Sequence, residues 1–148
     1  MDRLLVVVDD SETHRQLLEK AGTIAAGVGC ELVVLDIVDE NEFTGSVQRQ
    51  ANRGGQGESF DEVTTKAAAN AQELADEVLA DEDIEYDVLG VVGKVPDDIL
   101  TVAEKQGCDH IFVAGRKRSP TGKAVFGDTA QSVILNFDGP VTVLTDNS

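Results

Sequence analysis

Five short apolar runs divide the chain, and each of them is nearly continuous rather than alternating with polar residues. They occupy residues 4–8, 32–38, 86–92, 110–114 and 141–144. Continuous runs of this length are typical of β-strands that are buried on both faces. The pattern therefore predicts five strands in a sheet that is covered on both sides.

Segments with apolar residues at helical spacing lie between these runs. Ser11 is placed to cap the first helix, and Gly29 is placed to end it. Ser59 begins the second helix with the spacing of a capping box, Pro96 suits the first turn of the third, and the fourth is predicted to begin near Gly127. The alternation of strands and helices predicts an α/β fold with a parallel sheet and right-handed crossovers.

The length of 148 residues suits a single domain that spans residues 1–148. The apolar runs all fall well short of the roughly 18 residues that a membrane span needs. The first eight residues have the pattern of a strand rather than that of a signal sequence. We therefore expect a cytoplasmic protein without a membrane partner.

The charge is strongly negative, with 12 basic and 28 acidic side chains and a formal net charge of −16. Such a charge repels duplex nucleic acid and anionic lipid at ordinary ionic strength, so we expect neither as a partner. Together with few lysines and aromatic residues, it is typical of a halophilic protein, because a Debye length of about 3 Å at 1 M salt screens the self-repulsion. An ordinary acidic protein is the alternative interpretation.

One segment, residues 115–127, reverses this charge and is called the basic loop below. It contains Arg116, Lys117, Arg118 and Lys123 and no carboxylate, and it follows the fourth predicted strand. A strand, a glycine-bearing loop and a helix N-terminus in succession are typical of phosphate sites in α/β folds. The spacing fits neither a Walker-type P-loop nor a dinucleotide-binding signature, so the loop by itself predicts only an anion site.

Two further segments leave the carboxyl ends of strands, where ligands bind in parallel sheets. Asp9, at the tip of the first strand, can accept a hydrogen bond from an exocyclic amine or a ribose hydroxyl, while Asp10 or Ser11 caps the helix. The alternative is that Asp9 and Asp10 are only turn residues, one of which caps the helix. The flexible polar connection of residues 39–58 is either a lid, with Arg49 and Arg53 as its contacts, or a crossover without function.

The order and spacing of several segments resemble those of universal stress proteins. The resemblance covers nearly the whole chain and rests on residues 4–11, 32–39, 93–100, 111–115, 127–133 and 139–144. It implies a Rossmann-like five-stranded parallel sheet of order 3-2-1-4-5 with helices on both faces. It also implies a homodimer formed through the edge of the C-terminal strand and, in one branch of the family, ATP bound by a Gly-x2-Gly-x9-Gly-Ser/Thr loop.

The same resemblance implies which residues bind the nucleotide. Asp9 and Ile37 are expected to face adenine and ribose, and Thr129 offers a hydroxyl one position later than the Ser/Thr of the family. The full set that we predict is Val7, Asp9, Ile37, Gly115, Arg116, Arg118, Gly122, Gly127, Asp128 and Thr129.

The basic loop departs from the family pattern at three points. Arg118 replaces the second glycine, which adds charge but hinders close approach of a phosphate to the backbone. Eleven residues rather than twelve separate Gly115 from Gly127. Asp128 stands at the Ser/Thr position, where it can cap the fourth helix and where it repels a phosphate unless a divalent cation intervenes.

Catalysis has little support in the sequence. His14 falls on an apolar helix face and His110 at the amino end of a strand, so we expect both to be packing or surface residues. We therefore expect no enzyme, or at most slow ATP hydrolysis, and no protein-held metal. The predicted function is binding of ATP or AMP, with Mg²⁺ as an optional ion, by a dimeric stress-response or regulatory protein. The alternative is an interaction module whose basic loop docks an acidic partner.

Overall fold

The computed structural model describes residues 2–9, 11–41, 43–44, 59–116 and 127–146. The strands in chain order are β1 Arg3–Val7, β2 Glu31–Asp39, β3 Tyr86–Gly93, β4 His110–Arg116 and β5 Val141–Asp146. The helices are α1 Glu12–Val28, α2 Phe60–Val78, α3 Asp97–Lys105 and α4 Asp128–Asn136. Each of the five apolar runs therefore forms a strand, with ends that lie within two residues of the prediction.

All strand pairs are parallel, and the strands lie in the order β3-β2-β1-β4-β5. This confirms the order 3-2-1-4-5 and the Rossmann-like α/β fold. Because the strands are parallel, their carboxyl ends all lie at one edge of the sheet. The ends of β1, β2 and β4 are neighbours there, which brings together the segments that leave them.

The sheet is buried on both faces, as the continuous apolar runs predict. Successive residues of β1 point to opposite sides, so Leu4 packs with the buried residues of α1 and α2. Its neighbour Leu5 packs with Ile99 of α3 and Val133 of α4. These side chains are fully buried. Helices therefore cover both faces of the sheet, and the packed core holds the strands in place.

The predicted caps position the helices that border the site. Ser11 is the N-cap of α1, and its hydroxyl accepts a hydrogen bond from the backbone N–H of His14 at 3.2 Å. Gly29 ends the helix with a φ of 81°, a conformation that favours glycine. Ser59 likewise accepts from the backbone N–H of Glu62 at 3.1 Å. The first residues after β1 are thus held in a fixed turn.

The connection after β2 begins differently from the prediction. β2 continues through Asp39, and residues 40–41 and 43–44 are helical rather than a polar loop. The carboxylate of Asp39 accepts from the backbone N–H of Asn41 at 2.8 Å, which explains the turn at this point. Residues 45–58, including Arg49 and Arg53, lie outside the described residues.

Candidate functional site

A cavity of about 490 Å³ opens at the carboxyl edge of the sheet. Its volume is in the range of small-molecule sites. Four of the predicted site residues line it, namely Val7 and Asp9 from the end of β1, Ile37 from β2 and Thr129 from α4. The fold therefore brings together residues that are up to 122 positions apart in the sequence.

Apolar side chains form much of the remaining wall. Val95, which precedes α3, and Ile99 of α3 contribute to it, as do Val113 and Ala114 of β4. Ile99 is fully buried and packs with the core. The wall is therefore fixed by the same packing that holds the sheet, and it suits a flat apolar ring better than a hydrated ion.

Asp9 is held in place through one of its two carboxylate oxygens. Oδ1 accepts a hydrogen bond from the backbone N–H of Ser11 at 2.7 Å. The same oxygen lies 2.9 Å from Nδ1 of His14. The side chain is 58% exposed. The carboxylate is thus oriented by the turn after β1, and Oδ2 is left as the oxygen that can accept from a ligand.

His14 also lines this cavity, although the sequence placed it among packing or surface residues. Besides its contact with Asp9, Nδ1 lies 2.7 Å from the hydroxyl oxygen of Ser11. Burial lowers the pKa of His14 below the ordinary value of 6.5, while the charge and hydrogen bond of Asp9 act in the opposite direction. His14 is therefore neutral at pH 7, with its ring fixed beside Asp9.

Two more carboxylates, Asp36 and Asp39 of β2, line the cavity and were not predicted as site residues. With Asp9 they give the described part of the wall three acidic side chains. A smaller cavity of about 240 Å³ adjoins it, where Asp9 and Asp36 meet Lys66 of α2. The acidic wall favours hydrogen-bond donors as ligand groups and disfavours a phosphate deep inside the larger cavity.

The basic loop begins in β4 and ends at the N-terminus of α4. Gly115 lies in β4 and pairs with Thr145 of β5. Gly127 is the N-cap of α4 with φ 84° and ψ 156°, a conformation open almost only to glycine. The backbone conformation at position 127 therefore requires glycine.

Asp128 does not cap α4, so that expectation was wrong. The N-cap position belongs to Gly127, and Asp128 is already the first helical residue, from which its side chain makes no capping bond. In the described part of the chain, no side chain caps the first backbone N–H groups of α4 by accepting a hydrogen bond. An anion at this end would find both the free N–H groups and the exposed Asp128 carboxylate.

Apart from Arg116, the interior of the basic loop lies outside the described residues. Arg116 is the last residue of β4. Arg118 and Gly122, together with Lys117 and Lys123, lie outside the described residues. Their assignment as phosphate-binding residues stays a prediction.

The amino edge of the sheet holds the second histidine. His110 is 6% exposed, and its Nε2 lies 2.8 Å from the hydroxyl of Thr142 on β5. Its ring stacks on Phe112 with a centroid distance of 4.6 Å. His110 is thus a packing residue, as predicted.

Two kinds of feature are absent from the described residues. No group of three or more His, Cys, Asp or Glu side chains among them has an arrangement that could hold a metal ion. None of the described helices is both long and apolar enough to cross a membrane.

Similarity to known proteins agrees with this architecture. A universal stress protein from Archaeoglobus fulgidus has 25% sequence identity and a TM-score of 0.67, with 98% of this chain and 99% of that chain covered. A universal stress protein in complex with cAMP has 16% identity, a TM-score of 0.66 and coverage of 97% and 96%. One from Archaeoglobus fulgidus in complex with dAMP has 18% identity, a TM-score of 0.63 and coverage of 98% for both chains.

A search among curated protein sequences returned no significant match to this chain. The sequence model of the universal stress protein family, in contrast, matches residues 1–145. This match includes the four helices and, except for the last residue of β5, the five strands described above. The chain therefore belongs to the universal stress protein family.

Proposed function

We propose that this protein binds an adenine nucleotide, ATP or AMP, with the adenosine part in the cavity at the carboxyl edge. The observation that carries the proposal is the convergence of Val7, Asp9, Ile37 and Thr129 on one cavity of suitable size. Structural neighbours in complex with cAMP and dAMP support the same class of ligand, because both molecules contain adenine.

The chemistry of the wall suits the adenosine part of the ligand. Ile37, Val95 and Ala114 offer apolar surface to a flat ring. Asp9 offers an acceptor to an amine or a hydroxyl, and such charge-assisted hydrogen bonds are stronger than neutral ones. A neutral nucleoside fits a wall with three carboxylates, whereas a phosphate group does not.

The phosphates belong outside this wall, toward the N-terminus of α4 and the basic loop. The uncapped N–H groups after Gly127 and the four basic side chains of the loop attract them. Asp128 opposes them. With ATP, a Mg²⁺ ion on the phosphates would reduce this repulsion, so we expect Mg²⁺ to matter more for ATP than for AMP.

The biological role that we propose is stress-response regulation by a dimer, without turnover beyond slow ATP hydrolysis. Among the described strands, β5 is the outer one next to β4, and its other edge can pair with a second copy. Leu135, on the helix before β5, is 73% exposed.

The charge of −16 points to a high-salt interior, so sedimentation in molar KCl tests the oligomeric state. We expect a dimer at micromolar concentration, and a monomer alone would contradict the proposal.

Analysis of bound small molecules tests the nucleotide proposal directly. Protein purified without added nucleotide is denatured, and the released molecules are identified by mass spectrometry. Calorimetric titration with ATP and AMP in molar KCl then measures affinity. We expect one adenine nucleotide per chain and weaker binding in Gly115→Val, where a side chain enters the start of the loop.

The matched control is Gly27→Val, since the space around Gly27 in α1 is open and lies away from the cavity. It should bind like the wild type. Absence of both released nucleotide and heat would contradict the proposal and favour the interaction module. Docking of an acidic partner by the basic loop would then be lost at high ionic strength.

A further inference from the structure

His110 is a polar side chain inside the packed core near the amino edge of the sheet. It is 6% exposed, and in the described part of the chain no other charged or polar side chain is buried to the same extent. Its ring stacks on Phe112, which belongs to the core cluster that α1 helps to form. The core of this protein therefore contains a group that can gain a positive charge near neutral pH.

One ring nitrogen of His110 has a hydrogen-bond partner, and the other has none among the described residues. Nε2 lies 2.8 Å from the hydroxyl oxygen of Thr142 on β5. Nδ1 is enclosed by protein and lacks a partner in the described part of the chain. A neutral ring can donate from Nε2 to the hydroxyl and keep only a lone pair at Nδ1, whereas a protonated ring places an N–H there as well. The folded site therefore favours the neutral ring over the charged one.

The elements that pack around His110 contribute mainly uncharged side chains. Leu4 of β1 is its neighbour in the sheet, Thr142 comes from β5, and α1 covers this face with apolar residues such as Ala25. Cys30 belongs to the same cluster, and burial raises the pKa of its thiol, which therefore stays neutral. These groups provide no counter-charge for a protonated ring.

Two charged groups influence the titration of His110 in opposite directions. Burial has the largest effect and lowers the pKa of His110 below the ordinary value of 6.5, while the carboxylate of Asp109 raises it and the N-terminal amino group lowers it further. The charge of Arg3, on the neighbouring strand β1, is paired with Glu31 and Asp87. His110 is therefore neutral at pH 7 in the folded protein.

β5 is the element whose movement exposes His110 with the smallest loss of packing. Among the described strands it is the outer one next to β4, and its apolar side chains Val141, Val143 and Leu144 are only partly buried. β1 lies at the centre of the sheet, and its Leu4 is fully buried. Local opening of a protein begins where few buried contacts must be broken. A protonated His110 is therefore most easily hydrated by separation of β5 from β4.

We propose that His110 makes the contact between β4 and β5 acid-sensitive, so that uptake of a proton by this ring opens the outer strand while the centre of the sheet stays folded. The inference concerns the strand whose other edge is proposed above to pair with a second copy. It rests neither on that pairing nor on nucleotide binding.

The direction of the effect follows from the lower pKa of His110 in the folded state. Such a group contributes its full stability above its unfolded pKa, and this contribution is lost as the pH falls below it. β5 should therefore be held firmly at pH 7.5 and open more often below about pH 6.5. At pH 5.5, about one unit lower, one bound proton increases the opening constant by up to about tenfold. Carboxylates with ordinary pKa values near 4 remain ionised at this pH.

Hydrogen exchange at single amides, followed by NMR in molar KCl at pH 7.5 and pH 5.5, measures this opening. Each rate is divided by the intrinsic rate of an unstructured peptide at the same pH, which removes the chemical pH dependence. We expect protection of the β5 amides to fall by about fivefold to tenfold at pH 5.5, and that of the β1 amides by less than about twofold. In His110→Gln, which does not titrate, protection of β5 should be the same at both pH values.

His14→Gln is the matched control, because it removes the only other histidine of the sequence, at the opposite edge of the sheet. It should keep the wild-type response of β5. His110→Phe, which keeps an aromatic ring beside Phe112, is a second variant that does not titrate and should also lose the response. A response that persists in a folded His110 variant, or that disappears in His14→Gln, would overturn the inference. Equal losses of protection in β1 and β5 would also overturn it, because the opening would then be global.

Discussion

Each edge of the sheet carries an aspartate and a histidine, but the two pairs differ in what surrounds them. At the amino edge, Asp109 accepts from the backbone N–H of Asp2 at 2.9 Å, and His110 is buried against β5. At the carboxyl edge, the Asp9 side chain is mostly exposed, and His14 lies in a cavity wall. The same residue types serve packing at one edge and line the proposed ligand cavity at the other.

The two edges also differ in whether their charged groups border a cavity. At the amino edge, the guanidinium of Arg3 donates to the carbonyl of Gln106 at 2.8 Å and pairs with Asp87 and Glu31. At the carboxyl edge, Asp9, Asp36 and Asp39 line a cavity instead. Parallel sheets bind ligands at that edge, because the chain diverges there into separate loops.

The largest effect on stability is expected from truncating a core side chain in the amino half of β4. Phe112 is fully buried and stacks on His110. Phe112→Ala should lower the free energy of unfolding by about 3–5 kcal/mol, because it removes a large core side chain and leaves a cavity. Urea denaturation measures this loss. Leu135→Ala, at an exposed position, should change stability by less than about 0.5 kcal/mol. Equal effects of the two substitutions would contradict the packing role.

A smaller effect is expected from removing the positive charge of Arg3, which pairs with carboxylates at the amino edge of the sheet. Arg3 is only 23% exposed, and Arg3→Met should cost about 2 kcal/mol of stability, since its partners lose their hydrogen bonds. Arg15 pairs with Glu77 on the helix surface, and both side chains are well exposed. Arg15→Met should therefore cost less than about 1 kcal/mol. Thermal or urea unfolding of the two variants checks the difference, and a larger loss in Arg15→Met would refute it.

Much of the fold could be predicted from the sequence, because its signals are local. Continuous apolar runs identified the strands, and Ser11, Ser59 and Gly29 marked helix boundaries that the structure confirms. The order of the strands came from the family resemblance, since periodicity does not determine which strands are neighbours. The helical turn after Asp39 was missed, because a single side chain creates it.

The site was only partly predictable, because it is assembled from residues distant in sequence. Asp9 and Thr129 were predicted and line the cavity, whereas His14 was expected to be a packing or surface residue from its position on an apolar helix face. A usable signal was its place in the first turn of a helix that starts directly after Asp9. Asp36 was also missed, although a carboxylate within the apolar run 32–38 is unusual for a buried strand.

If the carboxyl edge binds the nucleotide and the amino edge stabilises the fold, a matched pair of substitutions separates the two roles. Calorimetry measures the dissociation constant for AMP in Asp9→Asn and in Asp109→Asn. We expect at least tenfold weaker binding in Asp9→Asn, which loses a charged acceptor, and a change below about twofold in Asp109→Asn. Unchanged affinity in Asp9→Asn, or equal losses in both variants, would contradict the account.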